Sequence, residues 1–141
     1  HSLAGSIKGR DNIYTQLRNM LENAKKSVVI LTSANGMQRK AKRFKSLFAK
    51  LASKGIKIKI AVPEYESNNK DINEIKKYVH IKNSDKLKGR FVIVDEKEIL
   101  FMIADDTDIH ESYDTAVWVN TPYFAKAFHD MFNDTWQTLK E

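Results

Sequence analysis

Residues 27–32 read Ser-Val-Val-Ile-Leu-Thr, a short, nearly continuous apolar run rich in β-branched side chains. A strand wetted on one face alternates apolar and polar residues, whereas an unbroken run of this length calls for cover on both faces. The chain is therefore expected to place a sheet between helical layers. Its flanks supply them. From Asp11 to Lys25, the residues Ile13, Leu17, Met20, Leu21 and Ala24 recur at helical spacing. From Met37 to Lys54, a second stripe is formed by Met37, Ala41, Phe44, Leu47, Phe48 and Leu51, with Gly55 placed to close the helix at positive φ.

Downstream the period changes. Ile56, Ile58, Ile60 and Val62 alternate with Lys57, Lys59 and Ala61, which predicts a strand that Pro63 ends. Asp71 and Glu74 have capping-box spacing and predict a short helix through Tyr78, followed by a short strand over 79–81. Two apolar runs, 90–95 and 98–103, flank Glu96 and Lys97 and predict a hairpin. A loop over 105–111 and a strand over 115–119 follow. Asn120, Thr121 and Pro122 start the last helix, whose core face is expected to carry Phe124, Ala127, Phe128, Met131, Phe132 and Trp136. This order predicts an α/β fold with a mixed sheet flanked by helices. Ligands of such sheets gather beyond strand ends, here 32–35, 63–66, 103–106 and 119–121.

With 141 residues the chain suits one domain. No apolar run approaches the ~20 residues that span a bilayer, so a membrane partner is not expected. The sequence contains no cysteine, which removes disulfides, thiolate metal sites and thiol nucleophiles and fits a cytoplasmic protein. The opening His-Ser-Leu-Ala-Gly-Ser has no initiator Met and no leader pattern, so residues 1–8 are expected to be tag remnant and linker from an upstream domain, with the folded unit over 9–141.

The segment Lys88-Gly-Arg90-Phe-Val-Ile-Val-Asp95 resembles the phospholipase D signature, His-x-Lys-(four residues)-Asp. In that family the His attacks phosphorus, the Lys holds the phosphate, the Asp orients the His, and a downstream Gly-Ser-x-Asn adds phosphate contacts. Here Lys88 stands at the nucleophile position, and a protonated amine has no lone pair to attack with. Arg90 replaces the Lys and keeps its capacity for anions. Asp95 is retained, and also suits a hairpin turn. Met102, Ile103, Ala104 and Asp105 occupy the Gly-Ser-x-Asn positions. The expectation is a phospholipase-D-like fold without phosphodiester chemistry.

Several spaced blocks carry a second resemblance: Gly9-Arg10-Asp11-Asn12-Ile13, Ala24-Lys-Lys-Ser-Val28, Arg90–Asp95, Leu100-Phe-Met, Asp105-Asp106, Ser112-Tyr-Asp114, Trp118-Val-Asn120, Met131-Phe132 and Trp136. Together they are similar to the TrmB family of archaeal transcriptional regulators, in which a winged helix that binds DNA precedes a phospholipase-D-like effector domain. The resemblance covers the effector part. It implies a homodimer that responds to a small-molecule effector, often a sugar in characterised members, and that reaches DNA through the upstream domain. The expected pocket uses Thr32, Ser33, Lys88, Arg90, Asp105 and Asp106, with Arg90 gripping an anionic or hydroxylated ligand. No cofactor is expected. Two other readings stay open: a diverged phosphodiesterase that completes its site across a dimer, and a dimerisation module without ligand.

Other clusters weigh less. Arg39, Lys40, Lys42, Arg43 and Lys45 are expected on the solvated side of their helix, opposite Phe44 and Phe48, despite a net charge of +6 that would suit nucleic acid. Asp105, Asp106, Asp108, His110 and Glu111 are dense in metal-capable groups but lack the glycine of a calcium loop, and no metal is expected. Trp118, Tyr113, Phe124 and Trp136 are expected in the core rather than in a pocket.

Overall fold

A computed structural model describes residues 3–65, 68–85, 87–106 and 109–141. The sheet is seven-stranded, in the order β1-β7-β6-β5-β2-β3-β4. The strands are β1 (Ala4–Lys8), β2 (Ser27–Leu31), β3 (Lys57–Val62), β4 (His80–Asn83), β5 (Phe91–Val94), β6 (Glu98–Met102) and β7 (Thr115–Asn120). The helices are α1 (Arg10–Glu22), α2 (Ala34–Ser53), α3 (Lys70–Ile75) and α4 (Pro122–Trp136). β2, β3 and β4 are parallel; β5, β6, β7 and β1 continue the sheet antiparallel.

The apolar run of β2 is covered on both faces. Val28 and Ile30 join a core shared with α1, α2 and α3, while Val29 and Leu31 join a second core under α4. β5 divides the same way, Val92 and Val94 to the first core, Phe91 and Ile93 to the second. In β3, Ile58, Ile60 and Val62 face α2, as the alternation requires.

Local chemistry sets the element ends. Ser33 caps α2 by accepting from the Gly36 amide at 2.9 Å. Thr121 caps α4, with Pro122 in its first turn. Gly55 follows α2 at φ 80°. The cap of α3 is Asn69, which accepts from Ile72, rather than Asp71; Asp71 instead pairs with Lys45 at 2.8 Å. The hairpin turn is one residue earlier than expected. Asp95 and Glu96 are both left-handed, at φ 57° and 55°, the pair that a type I′ turn needs. The Asp95 carboxylate offsets that strain by accepting from the amides of Lys25, Lys26 and Ser27.

Three expectations are corrected. Residues 4–8 are not linker: they form β1, whose register pairs Ala4 with Val119 and Lys8 with Thr115. The buried face of α4 carries Ala125, His129, Phe132 and Trp136, while Phe124 and Met131 are 49% and 62% exposed. Helical spacing cannot tell which apolar residues of an over-wide stripe the sheet reaches. The cations of α2 do not share one solvated face. Lys40 is buried and Arg39 half-buried, because their positions look toward β2 and the loop after β6.

Candidate functional site at the strand ends

Antiparallel β5 brings its beginning to the edge where β2, β3 and β4 end, and β6 returns to that edge. A cavity of about 510 Å³ opens there. Thr32 and Ser33 follow β2, Ser84 and Asp85 follow β4, Lys88 to Arg90 precede β5, and Met102 to Asp105 close β6. Five of the six expected site residues line it: Thr32, Ser33, Lys88, Arg90 and Asp105. The stretch after β7 does not join them. That strand runs the other way, so Val119–Thr121 lies at the far edge, and Glu66 falls outside the described residues.

Beneath the cavity lies a polar network that gives each residue a definite task. Arg90 has its guanidinium already bonded within the protein. It donates to the Ala104 carbonyl through Nε and Nη2 and to Asp114 at 3.0 Å, and only 10% of its side chain is exposed. Asp114, 2% exposed, also accepts from Arg10 Nε at 3.3 Å. A buried carboxylate flanked by two arginines fastens β5, β7 and the start of α1 together.

Asp106 is turned away from the cavity. It accepts from Ser33 Oγ at 2.6 Å and from Arg39 Nη2 at 2.8 Å, and Arg39 Nε reaches the Tyr14 hydroxyl at 3.2 Å. Burial works against ionisation of Asp106, but those two bonds and the charges of Arg90 and Arg39 outweigh it and hold the carboxyl below its ordinary range. Lys40 Nζ donates to Thr32 Oγ1 at 3.1 Å. Burial pushes its ammonium below the usual lysine value; Tyr14 and Asp106 oppose this, and Arg39 and Arg90 add to it.

Among the described lining residues, the polar groups left to meet a ligand are short apart from Lys88, and Leu31, Pro63, Leu87, Met102 and Ile103 complete the wall. Lys88 is exposed at the rim and makes no ion pair among the described residues. Asp95 lies at the opposite end of β5, where it caps backbone amides and cannot orient anything at position 88. Among the described residues, the metal-capable loop groups do not form a cluster. Asp106 is held by Ser33 and Arg39, His110 bonds Ser112, Glu111 lies 3.9 Å from Arg10, and Asp108 is outside the described residues. Of the aromatic residues, Trp136 is core, Trp118 is half-buried and donates to Glu98, Tyr113 is exposed and Phe124 edges a separate groove.

Sequence reasoning missed Asp114, Arg10, Arg39, Lys40 and Tyr14. The amphipathic period of α2 did carry a signal for Lys40, which falls at i+3 from Met37 and i−4 from Phe44 on the apolar face. The partnership of Asp114 with Arg10 and Arg90 spans 104 and 24 residues, and nothing local announces it.

Similar structures share this architecture. TrmBL2, described as an archaeal chromatin protein with a novel mode of DNA binding, superposes with a TM-score of 0.75 at 22% identity over 99% of this chain and 54% of that one. The chain thus spans about half the length of that relative. NucT from Helicobacter pylori gives 0.72 at 18% identity, and the phospholipase D family member Nuc from Salmonella typhimurium gives 0.70 at 15%, each covering 97% of both chains. These likenesses establish the phospholipase-D-like fold. No curated protein sequence matches the chain. The family model described as transcriptional regulator TrmB, EBD (effector-binding domain) N-terminal subdomain, matches residues 5–141. On that match, and on a fold that agrees with it from β1 to α4, this chain belongs to the TrmB family of transcriptional regulators, as the N-terminal subdomain of its effector-binding part.

Proposed function

We propose that this chain senses a small molecule without catalysis, and that it does so in a homodimer whose DNA-binding domain lies outside the sequence. The observation that carries the reading is the strand-end cavity. Its volume and polar rim suit a small ligand, Lys88 stands where a nucleophile would be needed, and Arg90 is committed to Asp114. Thr32, Ser33, Ser84 and Asp85 offer hydroxyls and a carboxylate, a set that matches a polyol or other hydroxylated effector. Asp106 acts in the wall by fixing Ser33. DNA contact by the TrmBL2 relative supports DNA as the partner of the whole protein. Effector binding would bias one dimer arrangement over another, which requires different affinities for the two.

Thermal unfolding against sugars, nucleotides and amino acids tests this reading. A ligand specific to the native state at 100 times its Kd adds about 2.7 kcal/mol, a rise in Tm of several degrees. That rise should vanish in Ser33→Ala and persist in a distant surface variant such as Lys57→Ala. A library that leaves Tm unmoved points instead to a dimerisation module without ligand. Sedimentation equilibrium checks the dimer. Phosphodiesterase turnover abolished by Lys88→Ala would overturn the claim that no catalysis occurs.

A further inference from the structure

The two faces of β3 differ in kind. Ile58, Ile60 and Val62 are buried under α2, while Lys57 and Lys59 point to the α4 side of the sheet. The parallel registers extend that second face sideways. Ser27 of β2 stands beside Lys57, with Lys26 next to it, and on the other flank His80 of β4 stands beside Lys59 and Lys82 beside Ala61. Lys26, Lys57 and His80 are exposed, and Lys59 and Lys82 are half-buried. None of them lines the strand-end cavity.

These cations have no counter-charge within the fold. Among the described residues, Lys26, Lys57, Lys59 and Lys82 form no ion pair. Glu96 edges the small hollow that Lys26, Lys57 and Lys59 line, but Lys126 and His129 share it, each at 3.5 Å. Lys59 Nζ donates to Asn133 Oδ1 at 3.2 Å and Lys82 Nζ to the Trp136 carbonyl at 3.1 Å. Both acceptors are neutral, so they orient the ammonium groups without cancelling their charge. Lys59 is held below the ordinary lysine value, first by partial burial and then by repulsion from Lys57 and Lys82.

The spread of the charges says what suits them. From Lys57 to Lys82 is four residues along the strand direction and one strand across, about 14 Å. One phosphate cannot meet both ends, whereas a row of anions can. Phosphates on one strand of a duplex rise about 3.4 Å each along its axis, so the row matches about four of them. A protein partner would need an apolar centre, and lysine is depleted in such interfaces. An unpaired strand would need a ring to stack on, and Trp136 is 6% exposed, stacked on Phe132 and overlain by Lys59 and Lys82. Lysine lacks the planar fork that reads base edges.

We infer that this lysine face binds the phosphate backbone of duplex nucleic acid without regard to base sequence. The contact is separate from the effector reading and holds whether or not the strand-end cavity takes a ligand.

Fluorescence anisotropy of a labelled duplex of about 20 base pairs, titrated with this chain at several salt concentrations, tests it. Four contacts predict that log K falls with log salt at a slope of about −3.6, a loss of about a hundredfold between about 50 and about 200 mM salt. Two duplexes of unrelated sequence should bind alike. Replacing Lys57, Lys59 and Lys82 together by Gln should bring the slope to about −1 and weaken low-salt binding about tenfold or more. Circular dichroism checks that this variant folds. Lys57→Ala alone, at an exposed position, should lower the slope by about 0.9 and leave effector-induced stabilisation intact. Lys42→Gln, Lys50→Gln and Lys54→Gln combined remove the same charge from exposed positions along α2 and should leave the slope unchanged. No duplex binding at low salt, equal losses in the two triple variants, or tighter binding of a single strand of the same length would overturn the inference. So would polyglutamate that competes as well as the duplex, which would assign the face to an acidic protein. Effector-induced thermal shifts are a separate readout, so either reading can fail alone.

Discussion

Asp114 is the residue on which the site turns, and its energetics follow from its company. Its carboxylate is 2% exposed and accepts from Arg90 and Arg10, whose side chains are 10% and 14% exposed. Removing one partner from a buried ionic set strands the rest without solvent, which costs about 3–5 kcal/mol. Asp114→Ala should lower the unfolding free energy by about 3 kcal/mol in urea titrations, with Arg90 released toward the cavity. Lys40 predicts the opposite sign. Between its depressed native value and the ordinary lysine value, the unfolded chain holds a proton that the native chain has shed. Stability contributed by this group therefore rises with pH between those two values. Lys40→Met should lack that slope. At pH below the native value of Lys40, where the parent buries an ammonium, Lys40→Met should also be more stable than the parent by about 1 kcal/mol. Asp106, held below its ordinary range, acts at the acid end. Its contribution is present above the unfolded value and is lost as pH falls through the native one.

At the scale of elements, the start of α2 is the most constrained junction. A Cβ on Gly36 would lie 2.3 Å from Thr32 Oγ1 and 3.0 Å from Ser33 Oγ, so α2 approaches β2 as closely as glycine permits. Thr32 is held by Lys40 and Ser33 by Asp106, so neither hydroxyl can retreat freely. Gly36→Ala should cost about 1–3 kcal/mol, as overpacking does, and should abolish ligand-induced stabilisation by tilting Thr32 and Ser33 from the rim. Differential scanning calorimetry with and without ligand separates the two effects. The β5–β6 hairpin is anchored differently. Its left-handed Asp95 is tolerated because three amides at the head of β2 bond its carboxylate.

For the molecule as a whole, the sheet divides two cores and its edges matter. β1 covers β7 along its full length. A chain beginning at Gly9 would expose β7 as an open strand with unpaired amides and carbonyls, a template for association. Such a chain should aggregate or form concentration-dependent oligomers, measured by light scattering, while its far-UV circular dichroism still reports the other elements. The cavity and groove both lie at the edge where three parallel strands end and the antiparallel half begins. The strand-end cavity borders Ser33, the cap of α2, and the groove is lined by α4.

The sequence alone determined the alternation of elements, since hydrophobic period, caps and the Pro122 start are short-range signals that survive without a partner. The apolar run of β2, the alternation of β3, the Gly55 stop and the Thr121–Pro122 start all stand in the structure. Of the four strand ends the sequence pointed to, three border the cavity, through Thr32, Ser33, Pro63 and Asp105, and the end of β7 does not. Tertiary structure decided what those residues do. Arg90 and Asp106 looked free in one dimension, and their charges are satisfied by Asp114, Ser33 and Arg39 from distant parts of the chain. Likewise, residues 4–8 carry too little pattern to announce a strand, and only the open edge of β7 makes them one. The physical reason is common to both: pairing energies depend on distance in space, and spacing along the chain encodes that distance only within a helix turn or a hairpin.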